Sequence, residues 1–251
     1  MAILFDDASL QFLQKDSIDI ADLTNFSMSI WFNSNDITSQ ISSMISIVDK
    51  SVSDEYYTLR LRDDKVEFGA RKNGNAEVTV ATSTTFTANG WHNAIATYNL
   101  VSPTNGMKVY LDGGGSNSAD SPSVQNLDRT SIGVLGNLAF DQEHMSGMLA
   151  CAAVWNHNGT TVLGSREIAL IANGAHPFSI ELNRNITEPD SLVSFIPMYV
   201  PNTRDLVSST QMTAFNSPTV GHPEPPLGCP PLDDLVYKVR GIDKKVVTRV
   251  I

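Results

Sequence analysis

The sequence predicts an all-β protein, an antiparallel sandwich or barrel with one short helix and a separate C-terminal arm. Apolar and polar residues alternate in short runs, turn-forming clusters separate those runs, and one stretch alone carries helix start and stop signals. With 251 residues and 27.3 kDa, the chain can hold one large β-domain or at most two small ones. Its 41% hydrophobic and 18% charged residues are those of a globular protein, apart from disordered, collagen-like or coiled-coil chains.

The first clear strand pattern is Phe26 to Phe32, where Phe26, Met28, Ile30 and Phe32 would face a core and Ser27, Ser29 and Trp31 the other side. Strand patterns follow over Tyr57–Arg62, Val66–Ala70, Val78–Val80, Asn93–Tyr98 and Met107–Leu111. Turn clusters divide them, including Asp63-Asp64, Asn73-Gly74 and Asn105-Gly106. The helix is expected over Ser165–Ala172, with Ser165 as its cap and Asn173-Gly174 as its stop. Cys151, within the apolar stretch Met148–Val154, reads as a buried free thiol, with a bridge to Cys229 as the alternative. Two cysteines cannot make a disulfide framework.

The order of these runs resembles the laminin G-like jelly roll of the concanavalin A-like lectin and glucanase superfamily. Ile3–Asp7 resembles its first strand, Phe26–Phe32 its Trp-bearing strand, and Gly90-Trp91-His92 the start of a later one. Val109-Tyr110-Leu111-Asp112-Gly113, the stretch from Ser146 through Trp155-Asn156, and Leu163 to Leu170 resemble further landmarks in the family's order. The resemblance spans roughly residues 3 to 220 and implies a two-sheet antiparallel jelly roll over residues 1–220. The segments Leu192–Tyr199 and Arg204–Ser208 resemble the closing strand of versions found in tailed phages, although Ile196 stands where those carry Trp.

Chemistry is sparse. Glucanases on this fold hold their acid and nucleophile on alternate positions of one strand, which puts both carboxylates on one face at the separation retaining hydrolysis requires. Neither Glu-x-Asp-x-Glu nor Glu-x-Asp-x-x-Glu occurs here. The histidines, 92, 144, 157, 176 and 222, have no zinc-ligand spacing, and no nucleophile elbow or phosphate-binding loop is present. The expectation is no enzyme and no resident cofactor. For glycan binding, Trp31, Trp91 and Trp155 fall on strand positions the family fills with core residues, which leaves Tyr56, Phe140 and Tyr199 near loop ends. Calcium is the one metal considered, on Asp112, Asp141 and Glu143, whose hard oxygens suit it.

A net charge of -10 repels phosphate backbones, so nucleic acid is not an expected partner. No apolar run reaches the ~18 residues of a membrane-spanning helix, and Met1 to Asp7 has no export-signal pattern. Glycosylation sequons at Asn25, Asn158 and Asn185 are then chance matches. Five of the 12 prolines fall in residues 223 to 231, within a connector over 221–234. The arm, 235–251, has five basic residues and one acid, a charge of +4 against -14 for the rest. Val236, Tyr237, Lys238, Val239, Arg240, Lys244, Lys245, Val247, Arg249 and Ile251 are its candidate partner-binding residues, through strand addition to a neighbour's sheet edge.

Two functions follow as expectations. The first is a virion structural protein, a capsid-decoration or head/tail accessory subunit made in the host cytoplasm. Its partners would be the major capsid protein or other virion subunits, with copies forming a homo-oligomer on the particle. The alternative is a lectin-like module for a cell-surface glycan. Deleting residues 235–251 should leave a soluble domain with nearly unchanged melting that no longer joins particles. Full occupancy by the truncated protein would rule out the docking arm.

Overall fold

The computed structural model describes residues 2–16, 23–35, 40–52, 54–115, 117–122, 127–136, 141–157, 161–184, 191–198, 203–223 and 225. The strands are β1 (Ala2–Phe5), β2 (Phe12–Asp16), β3 (Asn25–Asn33), β4 (Ser42–Val48), β5 (Tyr56–Arg62) and β6 (Lys65–Arg71). They continue as β7 (Val78–Ala81), β8 (His92–Asn99), β9 (Met107–Leu111), β10 (Asn117–Ala119), β11 (Arg129–Ile132) and β12 (Leu135–Gly136). After β13 (Asp141–Gln142) and β14 (Gly147–Asn156) come helices α1 (Ser165–Ala172) and α2 (Pro177–Arg184), then β15 (Leu192–Ile196), β16 (Thr213–Phe215) and β17 (Thr219–His222).

Two antiparallel sheets form a jelly-roll sandwich. The eight-stranded sheet runs β10-β9-β8-β3-β14-β1-β17 with β15 also on β14, and the seven-stranded sheet runs β16-β2-β11-β4-β5-β6-β7. Register aligns the apolar positions into rows. Leu13, Ile132, Ile45, Leu59, Phe68 and Val80 are successive cross-strand partners in the seven-stranded sheet, and all are buried in the core between the sheets. From the facing sheet come Val154, Met28, Ala96 and Val109, another cross-strand row. Rings join the two layers: Phe26 lies 4.6 Å from Tyr57 and 5.1 Å from Tyr98, centroid to centroid.

Strand β3 has its first eight residues all buried, so its second face meets a further layer and not solvent. Its second face lies under α1 and α2, in a second apolar cluster of Trp31, Ile95, Trp155, Ile168, Ile171, Ile180 and Phe195. Trp31 and Trp155 are therefore core residues, though of this outer core, and Trp91 packs half-buried at its margin. The second helix has no counterpart in the sequence reading, and the first is capped differently from expectation. Gly164, not Ser165, is the N-cap, and its backbone N–H donates to Glu167 Oε2 at 2.7 Å. Gly174, at φ 87, supplies the left-handed stop.

Cys151 needs correction. It is disulfide-bonded, and the sequence has one other cysteine, Cys229, outside the described residues. A β-bulge between Ala150 and Ala153 explains why this position escapes the strand's alternation. The connector from 226 onward and the whole arm 235–251 also lie outside the described residues.

One buried ion pair joins the sheets. Lys15 of β2 donates to Asp205 at 2.7 Å, with side chains 1% and 0% exposed. Asp205 also accepts from Ser194 Oγ at 2.8 Å and from the backbone N–H groups of Phe195 at 3.1 Å and Val207 at 2.9 Å. Burial pushes this carboxyl up, but the Lys15 charge and these hydrogen bonds outweigh it and hold the pKa below its ordinary 3.8. Asp205→Ala should cost about 3–5 kcal/mol, as expected when one member of a buried pair is stripped. Urea unfolding reads this directly; a loss below about 1 kcal/mol would make the pair equivalent to an exposed one.

Candidate functional site: a cleft at the rim

The broad outer face of the seven-stranded sheet is polar yet closed. Ser43, Ser46, Thr58, Arg60 and Glu67 are buried there beneath residues 133–136 and 141–145. Ser46 donates to the Val134 carbonyl at 2.9 Å, and Ser43 donates through its N–H to the Glu143 carbonyl at 2.7 Å and through its hydroxyl to the Glu143 carboxylate at 2.8 Å. Arg60 serves three carboxylates: Glu67 at 2.7 Å, Glu77 at 3.0 Å and Glu143 at 3.1 Å. Gly69 makes room for Glu77, because a Cβ there would lie 2.5 Å from Glu77 Oε1. Burial works against the Arg60 charge, but Glu143, Glu77 and Glu67 outweigh it and push its pKa above the ordinary arginine value. Burial pushes Glu143 up from 4.5 despite Arg60. These groups satisfy one another.

This network receives two residues expected at a ligand site. Tyr56, expected as an exposed aromatic ring, is buried, and its hydroxyl donates to Glu77 at 3.1 Å. Glu143, considered as a calcium ligand, is the Arg60 partner. Asp112, the second such residue, instead meets His92 Nδ1 at 2.7 Å and accepts from the Asn93 N–H at 2.7 Å. The Asp112 hydrogen bond and charge raise the His92 pKa above 6.5, against burial. Asp141 lies in β13, while Phe140 and Tyr199 fall outside the described residues. Among the described residues no group of three or more His, Cys, Asp or Glu is arranged to hold a metal ion.

An open feature lies on the rim, where β1, β3 and β14 end together. A cleft of about 330 Å³ is lined there by Leu4, Phe5, Asp6, Asn33, Asn35, Asn89, Ser146, Gly147 and Met148. Its loops are tied to each other: Asn89 N–H donates to the Ser34 carbonyl at 3.0 Å, Asn33 Nδ2 to the Asn89 carbonyl at 3.4 Å, and Ser34 Oγ to the Ser146 carbonyl at 2.8 Å. Gly147, at φ 137, lets β14 start flush against β3, since its Cβ would meet the Asn33 carbonyl at 2.5 Å. Asp6 is held by the Ala8 N–H at 3.1 Å and the Ser9 hydroxyl at 2.6 Å. The Asn35 and Asn89 amides have no hydrogen bond among the described residues, so donors and acceptors face solvent beside the apolar Leu4 and Met148.

None of these residues stands out in the sequence. The available signal was polar residues just past strand patterns, at Asp6, Asn33-Ser34-Asn35 and Asn89, and strand order alone brings them to one edge.

The sequence profile of the concanavalin A-like lectin/glucanases superfamily, in its Laminin G form, matches residues 7–169. This chain belongs to that family. No curated protein matches the chain in sequence. Among solved structures, a heptameric SAP-like pentraxin from Limulus polyphemus is similar at TM-score 0.58 and 13% identity, over 88% of this chain and 94% of the other. A Bacteroides ovatus protein described as carbohydrate-binding gives 0.59 and 15%, over 91% of this chain and 61% of that one. The CBM40 domain of a Ruminococcus gnavus sialidase, bound to sialyllactose, gives 0.50 and 13%, over 63% and 97%. At these identities the likeness is one of fold. No helix among the described residues is long and apolar enough to cross a membrane.

His176, between the helices, yields a pH test. Stacked on Phe178 and edge-on to Phe195, it is desolvated, which lowers its pKa from 6.5 to about 4. Between those values the unfolded chain binds the proton and the folded one does not, so stability falls as pH drops from 6.5 to about 4. Comparing urea unfolding of the protein and His176→Phe across that range should show a flatter pH dependence for the variant. Parallel curves would mean that His176 titrates normally.

Proposed function

We propose that this domain is a non-catalytic glycan-binding module that takes a sugar in the rim cleft. The observation that carries the reading is the pairing of two unengaged amides, Asn35 and Asn89, and the Asp6 carboxylate with an apolar wall of Leu4 and Met148. Sugars need this combination: hydroxyls exchange paired hydrogen bonds with amides and carboxylates, while C–H faces lie on apolar side chains. Similar folds in the Bacteroides protein and the sialyllactose-bound CBM40 domain add support. A binding role without catalysis also fits the carboxylates Glu67, Glu77 and Glu143, which are engaged by Arg60 under a cover.

A virion setting is a second proposal, favoured by the +4 charge of residues 235–251 against the acidic remainder. The domain would then be the glycan-reading part of a particle anchored by its arm to capsid or other virion subunits.

A glycan array followed by calorimetry tests the main reading. Asn35→Ala should weaken the best ligand about tenfold, the equivalent of one lost hydrogen bond near 1.4 kcal/mol, with melting unchanged. Absence of any ligand on a broad array, or affinity indifferent to Asn35→Ala and Met148→Ala together, would remove this function.

A further inference from the structure

We infer that the rim cleft selects neutral glycans and rejects sialylated and other anionic ones; this rests on the glycan reading above and adds its ligand class. Charge is the reason. Asp6 is the charged residue among the described residues lining the cleft, with no Lys, Arg or His among them. Its neighbour Asp7 adds a second carboxylate, engaged by Gln40 Nε2 at 3.0 Å. Near the cleft, the His92 charge is matched by Asp112, 2.7 Å away.

A bound carboxylate or sulfate would thus enter a negative field without a guanidinium or ammonium to meet it, and desolvating it there is unfavourable. The available donors are weak ones, the amide N–H groups of Asn35 and Asn89 and the Ser146 hydroxyl, while Asn33 Nδ2 is turned to the Asn89 carbonyl. Asp6 is an acceptor, suited to sugar hydroxyls, which donate. Its existing bonds from Ala8 N–H and Ser9 Oγ fix the carboxylate and leave it further lone pairs. The sialyllactose-bound CBM40 domain therefore shares the fold while this chain's cleft calls for a different ligand charge.

The test is calorimetry with matched pairs, lactose against 3′-sialyllactose and the best neutral array ligand against its sialylated or sulfated form. Each pair is run with EDTA and again with calcium. The neutral member should bind at least tenfold tighter in both buffers. Asp6→Asn, whose amide oxygen can accept from the Ala8 N–H while the Ser9 hydroxyl turns to accept from its NH2 group, should weaken the neutral ligand severalfold and shrink the neutral-to-anionic ratio below about threefold. Anionic binding equal to or tighter than neutral, with or without calcium, and lost in Asn35→Ala, would overturn the selectivity while leaving the glycan reading intact. A neutral preference unchanged by Asp6→Asn would overturn its electrostatic origin. No binding by either member of any pair would sink the selectivity and the glycan reading together.

Discussion

Burial of the eight-stranded sheet on both faces is the constraint from which the other features follow. Its inner face packs on the seven-stranded sheet and its outer face on α1 and α2, so β3 alternates between two cores instead of between core and water. The small side chains of that strand fit this arrangement. Ser27, for example, lies under the outer core and spends its hydroxyl on His157 at 2.9 Å and on the Leu163 N–H at 3.3 Å. A strand with charged residues at those positions could not have accepted a helical layer without unpaired buried charge.

The second broad surface is closed by polar means. Arg60 gathers Glu67, Glu77 and Glu143 from different stretches of chain, and residues 133–136 and 141–145 lie over them with Val48, Tyr56 and Leu135 as an apolar seal. Such a network is satisfied only in one arrangement, which makes it a device for fixing a loop more than a source of stability. Lys15 and Asp205 act similarly at another point, joining β2 to the stretch after β15.

With those faces covered, the described cleft lies at the rim. There the ends of β1, β3 and β14 put amides, a carboxylate and apolar side chains around one cleft, on loops tied by backbone hydrogen bonds. In the proposed glycan-binding role, strand ends with exposed amides would read hydroxyl groups, and the chain's acidic character would disfavour anionic ligands.

The sequence by itself determined the fold class, the family and most strand positions, because period-2 patterning and turn residues are local properties of the chain. Met107–Leu111 agrees end to end, and Tyr57–Arg62 to within a residue. Strand β4 was not legible: its serines at 42, 43 and 46 belong to buried polar surroundings that exist only once other segments cover them. The same holds for Tyr56, whose ring reads as a loop-end aromatic until Glu77, Val48 and Leu135 enclose it, and for Cys151, whose bond depends on a distant partner. The rim cleft depended on tertiary structure most of all. Asp6, Asn33, Asn35, Asn89 and Met148 are far apart along the chain, and antiparallel pairing of β1 and β3 with the strand between them brings them to one edge.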